Sequence, residues 1–184
     1  MDLRAMGAHL SERAELGVFR WEGLRYYDAA SDQGDYERFL RGEAPAGDRS
    51  GFIQMLRTAA EQNHPWRRLR VVHVDDEGTI PPYEHYSCTL YSENAAAGED
   101  VRVLEVSADN RLDTQVPDFW VVQRDHVVVT HYDDAGRHIG AEVATPEYGS
   151  ALLALRDVSW AQAVPFEDWW AEHPDLHRAR AQVA

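Results

Sequence analysis

The sequence predicts an α+β domain, an antiparallel meander sheet with helices packed on one face. Three observations lead there. From Asp118 onward, "FWVVQ", "HVVVTHY" and "RHIGAEV" read as strands joined by "RD" and "DDAG" turns, the pattern of consecutive hairpins. Ahead of them lie segments with helical spacing and cap residues, so helices and strands are segregated. Finally, 184 residues that are 44% hydrophobic, with no repeat and no linker, suit one compact core.

Residues 1–15 are polar and weakly periodic, which predicts a flexible N-terminal arm or a short helix. "VFRWE" alternates, placing Phe19 and Trp21 on one face and Arg20 and Glu22 on the other. A helix from Gly34 to Arg41 turns Tyr36, Phe39 and Leu40 inward. A second starts at Ser50, a suitable N-cap, with Phe52 and Leu56 on its buried stripe. "WRRLRVVHV" is a strand with Leu69, Val71 and His73 on one face and Arg68, Arg70, Val72 and Val74 on the other. Prolines open, and Gly98 closes, a helix carrying Tyr83, Tyr86, Leu90 and Asn94. "VRVLEV" adds a short strand before the meander. Thr145 and Pro146 cap a helix through Trp160, with Leu152, Leu155 and Val158 inward, and "VPFEDWWAEH" supplies a last aromatic turn. The domain therefore spans residues 16–173, and 174–184 form a mobile tail.

Composition excludes several functions. Acids outnumber bases 32 to 18, so the surface repels phosphate backbones and direct nucleic-acid binding is not expected. Every base is arginine and none is lysine, which indicates a GC-rich genome. The single cysteine, Cys88, allows neither an internal disulfide nor a cysteine-rich zinc site. No signal-type apolar run and no bilayer-length apolar segment occurs, which predicts a cytoplasmic protein without a membrane partner.

The densest chemistry is "HYDDAGRH", residues 131–138. Asp133, Asp134 and Gly136 have hairpin-turn composition, so the stretch reads as a chain reversal, with no metal expected. His85 and Cys88, three residues apart, share a helical face as a base and thiol would, although a small buried cysteine explains the pair equally. Arg67, Arg68 and Arg70 form the one basic cluster. Arg68 and Arg70 share a strand face, where they either grip an anion or pair with this chain's own acids. Trp169 and Trp170 are adjacent on a helix, which suggests one exposed indole for a protein contact. Glu84, Glu142 and His126 could act together only if the fold joins them. Phosphate-loop, dinucleotide, nucleophile-elbow and zinc-protease signatures are absent, so no cofactor is expected.

The succession "YERFLRGE", "RRLRVVHV", "YEHYSCTLYSENAAAGEDVRVL", "VPDFWVVQRDHVVVTHYDDAGRHIGAEV" and "RDVSWAQAVPF" resembles the actinobacterial domain-of-unknown-function family 6879, over roughly residues 16 to 168. The resemblance implies a small cytoplasmic actinobacterial protein, often encoded beside helix-turn-helix regulators. It brings no reaction and no catalytic residues; Tyr83, Asn94, Gly98, Glu99, Arg102, Asp118, Phe119, Trp120, Asp133, Gly136 and Gly140 match the motif, mostly as turn, cap and core positions.

Two functions follow as expectations. One is an accessory regulatory protein whose acidic surface binds a helix-turn-helix regulator, Trp169 and Trp170 contributing. The other is a small-molecule binder or enzyme, with a pocket between sheet and helices lined by Arg68, Arg70, Arg102, Tyr83, Tyr86 and His85. Homodimerisation through the C-terminal aromatics is a third.

Overall fold

A computed structural model describes residues 1–29, 32, 34–107 and 116–177. Six helices are defined: α1 (Leu3–Ser11), α2 (Asp35–Leu40), α3 (Ser50–Glu61), α4 (Pro82–Ala96), α5 (Pro146–Gln162) and α6 (Phe166–Glu172). Seven strands, β1 (Val18–Glu22), β2 (Trp66–His73), β3 (Asp100–Val106), β4 (Asp118–Val122), β5 (His126–Tyr132), β6 (His138–Val143) and β7 (Val164–Pro165), form one sheet. Its order is β6-β5-β4-β1-β2-β3-β7. No helix of the described residues is long and apolar enough to cross a membrane.

The α+β class holds, but the sheet is mixed. The β4–β5–β6 meander is antiparallel, whereas β1, β2 and β3 run parallel. Parallel neighbours need crossover connections, and β1→β2→β3 steps twice in the same direction. Same-handed crossovers then put both connections on one face, where α2, α3 and α4 lie. The helices are also not confined to that face. α5 covers the other, where Leu152 joins Phe19, Trp21, Leu69, Val71, Leu104, Phe119, Val127 and Val129 in the largest apolar cluster.

Strand alternation divides the side chains as the sequence indicates, Leu69 and Val71 under α5 and Val72 under α4 and α6. The N-terminal residues form a packed helix. Asp2 caps α1, Met6 and Leu10 bury against Val18, Val122, Val128 and Ala141, and Met1 pairs with Ala141 at the β6 edge. The turn Pro174–His177 packs on α6; residues 178–184 of the expected tail lie outside the described residues. Local differences have simple causes. Leu40 and Val158 face solvent because Phe39 and Leu152 take the core positions of their helices. The α3 stripe is Ile53 and Leu56, and Arg49 rather than Ser50 stands at its N-cap, with Asp48 accepting from the Ser50 amide. Gly98 is required where α4 ends: φ is 99°, and a Cβ there would sit 2.5 Å from the Cβ of Ala60 on α3.

A candidate ligand cleft

Alternation on β1 points Arg20 and Glu22 to the α4 face, and the parallel register sets Arg20 beside Arg68 and Glu22 beside Arg70. Glu22 is the hub. Its Oε1 lies 2.7 Å from both Arg20 Nη2 and Arg68 Nη1, and its Oε2 accepts from the Tyr91 hydroxyl at 2.6 Å. Arg68 also donates to Glu99 Oε1 at 3.0 Å, and Asn94 donates to Glu99 Oε2 at 2.7 Å. Burial alone would raise the Glu22 carboxyl, but Arg20, Arg68, Arg70 and Tyr91 outweigh it and hold the group well below the usual carboxylate range.

Over this floor opens a cleft of ≈ 700 Å³. Tyr83 and Tyr86 on α4 and Tyr27 from the loop after β1 form one wall, with Trp120, Tyr132 and the β5–β6 turn opposite and α1 contributing Leu3 and Met6. The tyrosines pack edge to face, Tyr83 against Tyr36 at 4.9 Å and Tyr27 against Tyr132 at 5.3 Å. Burial pushes the phenols of Tyr27, Tyr83, Tyr86, Tyr91 and Tyr132 upward, so at neutral pH they are neutral hydroxyls. Asp118 accepts from Tyr27 Oη at 2.6 Å and from the Gly23 amide at 2.8 Å. Its burial outweighs both bonds and raises it to about 6.

Two buried nitrogens of residues lining the cleft lack hydrogen-bond partners. Arg20 lies over the Trp120 ring at 4.6 Å and its Nε makes no hydrogen bond; His138, whose ring stands 5.9 Å from Tyr132, leaves Nε2 without one. Arg70 lies deeper. It is fully buried, 5.7 Å over Tyr27 and 3.5 Å from Glu84 Oε1, and none of its guanidinium nitrogens makes a hydrogen bond. At the rim, Asp32 accepts from Tyr83 Oη at 2.8 Å.

The expected pocket residues divide. Arg68, Tyr83 and Tyr86 line the cleft, and Arg70 lies behind its floor. Arg102 does not join them: its register partner is Leu69, so it is on the α5 face, 4.5 Å over Trp160 and donating to the Trp160 carbonyl. His85 turns away too, with Nε2 2.7 Å from the Leu176 carbonyl and its ring edge-on to Phe39. Cys88 is fully buried, and burial pushes its thiol up to about 12, which removes the thiol–base pairing. Nor is either tryptophan a free indole. Trp169 is buried and donates to Glu105 at 2.6 Å, while Trp170 stacks on Phe166 and His177. Glu84, Glu142 and His126 stay apart, pairing with His73, His131 and His9 respectively.

"HYDDAGRH" is a turn. Asp133 Oδ1 accepts from the amides of Ala135 and Arg137, and a bulge after His131 sets His138 beside Tyr132 rather than across from His131. Among the described residues no group of three or more potential ligands could hold a metal. The turn also closes the cleft: a Cβ on Gly136, at φ 77°, would meet the Tyr26 carbonyl oxygen at 2.7 Å, and the Gly136 carbonyl accepts from Asp28. Arg20, Glu22, Tyr27, Trp120, Tyr132 and His138 were not expected in the site. The β1 alternation signals the first two; the rest depend on which strands neighbour one another.

The chain matches a family, described as a domain of unknown function (DUF6879), over residues 6–171. It belongs to DUF6879. The matched span takes in every strand and, apart from Leu3, the residues that line the cleft. No curated protein and no solved structure matches this DUF6879 chain.

Proposed function

We propose that the cleft binds a small polar ligand with a planar or apolar body. The observation that carries this is a concave, tyrosine-walled space of ≈ 700 Å³ bordered by Arg20 and His138, whose Nε and Nε2 atoms are buried without a hydrogen-bond partner. Buried polar atoms are nearly always satisfied, so two left without partners beside a concave space favour a polar group brought from outside the chain. The ligand lays its body on Tyr83, Tyr86 and Trp120, and presents a carboxylate, carbonyl or phosphoryl oxygen to Arg20 and His138. The Arg68–Glu22 pair serves as scaffold, because its charges are already matched. Screening the protein by thermal shift against carboxylates, nucleosides and aromatic amides should give a saturable rise for one class, lost in His138→Phe and Trp120→Ala. A screen with no saturable ligand, or a ligand unaffected by both substitutions, overturns the reading.

The charge surplus supports a second reading, in which the acidic surface docks a basic protein such as a helix-turn-helix regulator. Sedimentation of the protein mixed with a purified helix-turn-helix regulator from its own genome tests this. A complex that weakens steeply with salt supports it, and none at low salt refutes it.

A further inference from the structure

A second cavity, of ≈ 390 Å³, opens on the α5 face at the β1 N-terminal end, away from the cleft. Phe19, Val121 and Trp160 form the apolar part of its wall, and three arginines border it from separate elements: Arg67 on β2, Arg124 on the β4–β5 turn and Arg156 on α5. Arg156 is fixed in place. It is bonded to Asp157 at 2.7 Å and 2.8 Å, donates to the Arg124 carbonyl, and lies 6.0 Å over Phe19. Among the described residues, the guanidiniums of Arg67 and Arg124 have no carboxylate and no hydrogen-bond acceptor.

In a chain with 32 acids and 18 bases most described arginines find a carboxylate, whereas these two, both exposed, border one cavity without one. Of the described residues lining the cavity only Asp157 is acidic, and Asp100, in register beside Arg67, lies 3.7 Å from Arg102, so the three arginines leave an excess of positive charge. The backbone adds a second observation. Gln123 and Arg124 both have positive φ, 51° and 76°, a conformation hairpins usually assign to asparagine and glycine. An arginine is therefore held at a position that glycine would fill with less strain, and its side chain borders this cavity.

We infer that this cavity binds a small phosphorylated ligand, its phosphate held by Arg67, Arg124 and Arg156 and its organic part resting on Phe19 and Trp160. The planar guanidinium fork matches a phosphate oxygen pair, and a dianion offsets the charge excess of the three arginines better than a single carboxylate. Long phosphate polymers do not fit, because the acidic remainder of the surface repels them. This inference stands whether or not the tyrosine cleft takes a ligand.

The test uses the full chain at low ionic strength, with inorganic pyrophosphate and adenosine monophosphate as probes in calorimetric titration. Saturable binding should appear and weaken about tenfold or more in Arg67→Gln and in Arg124→Gly. Arg124→Gly is the informative variant, since glycine suits φ 76° and the thermal midpoint should hold or rise while affinity falls. The cleft variant His138→Phe should bind both probes as the parent does. No saturable binding by the parent, or equal binding by both arginine variants, overturns the inference.

Discussion

Replacing Glu22 by Gln isolates the charge at the centre of the cleft floor while keeping the side chain's size. In the native protein this carboxylate, 4% exposed, contacts two guanidiniums at 2.7 Å and a phenol at 2.6 Å. At an effective dielectric near 20, each guanidinium–carboxylate attraction is about 4 kcal/mol, much of it offset by the cost of burying the ions. Removing one partner keeps that cost and loses the attraction, so Glu22→Gln should destabilise the fold by about 3–5 kcal/mol. Against a total of about 5–15 kcal/mol, that is a large fraction. Urea unfolding followed by tryptophan fluorescence at pH 7 measures it, with the denaturant slope expected unchanged. A second readout is pH. Because the folded Glu22 pKa is depressed, its stabilisation is complete above the unfolded value, about 4.3, and disappears as pH falls through the lower folded value. The variant should therefore lose less stability than the parent on acidification below about pH 4.5. The surface control Glu43→Gln, whose partner Arg41 is more than half exposed, should change nothing measurable. A Glu22→Gln loss below about 1 kcal/mol, or an acid limb unchanged from the parent, would refute the view that this ion network is a stabilised hub.

Four further outcomes are expected. The Asp118 carboxyl should titrate near pH 6 by ¹³C NMR, and since this raised pKa means the folded state holds the extra proton, its contribution to stability should fall as pH rises from about 4 to about 6. Gly98→Ala should cost about 2–4 kcal/mol in urea, from the positive φ and the contact with Ala60; a neutral result would mean α3 and α4 separate easily. Cys88 should resist iodoacetamide in the native state at pH 8 and react once unfolded, seen by intact mass. His9 and His126 face each other with Nε2 atoms 2.8 Å apart, and burial, Arg13 and His126 lower the His9 pKa. Stability from His9 should be lost as pH falls below about 6.5, so α1 amides should exchange faster at pH 5.5 than at 7.5, less so in His9→Gln.

Much of the fold is legible because local patterns determine it. The "VFRWE" and "WRRLRVVHV" alternations sort side chains to the faces they occupy, and Gly98 and the Asp133–Gly136 turn act as their chemistry requires. What local pattern cannot supply is strand adjacency. A meander assumption makes every neighbour antiparallel, yet β1 inserts between β2 and β4, pairing parallel with one and antiparallel with the other. That insertion makes the cleft, for it sets Arg20 and Glu22 between Arg68 and Trp120 and draws the loop carrying Tyr27 over them. The same limit explains the misplaced residues. Arg102 belongs with Leu69 by register, a fact invisible until β3 is paired with β2, and Trp170 is covered by a turn that reads as tail in the sequence. Within the cleft, whether an arginine serves a ligand or the fold depends on how many carboxylates surround it. Arg68 has two, Glu22 and Glu99, and so belongs to the scaffold; Arg20 shares one and keeps Nε free. Both are strand arginines with side chains on the same face, so it is their surroundings in three dimensions that separate a cation matched by two carboxylates from one that shares a single carboxylate.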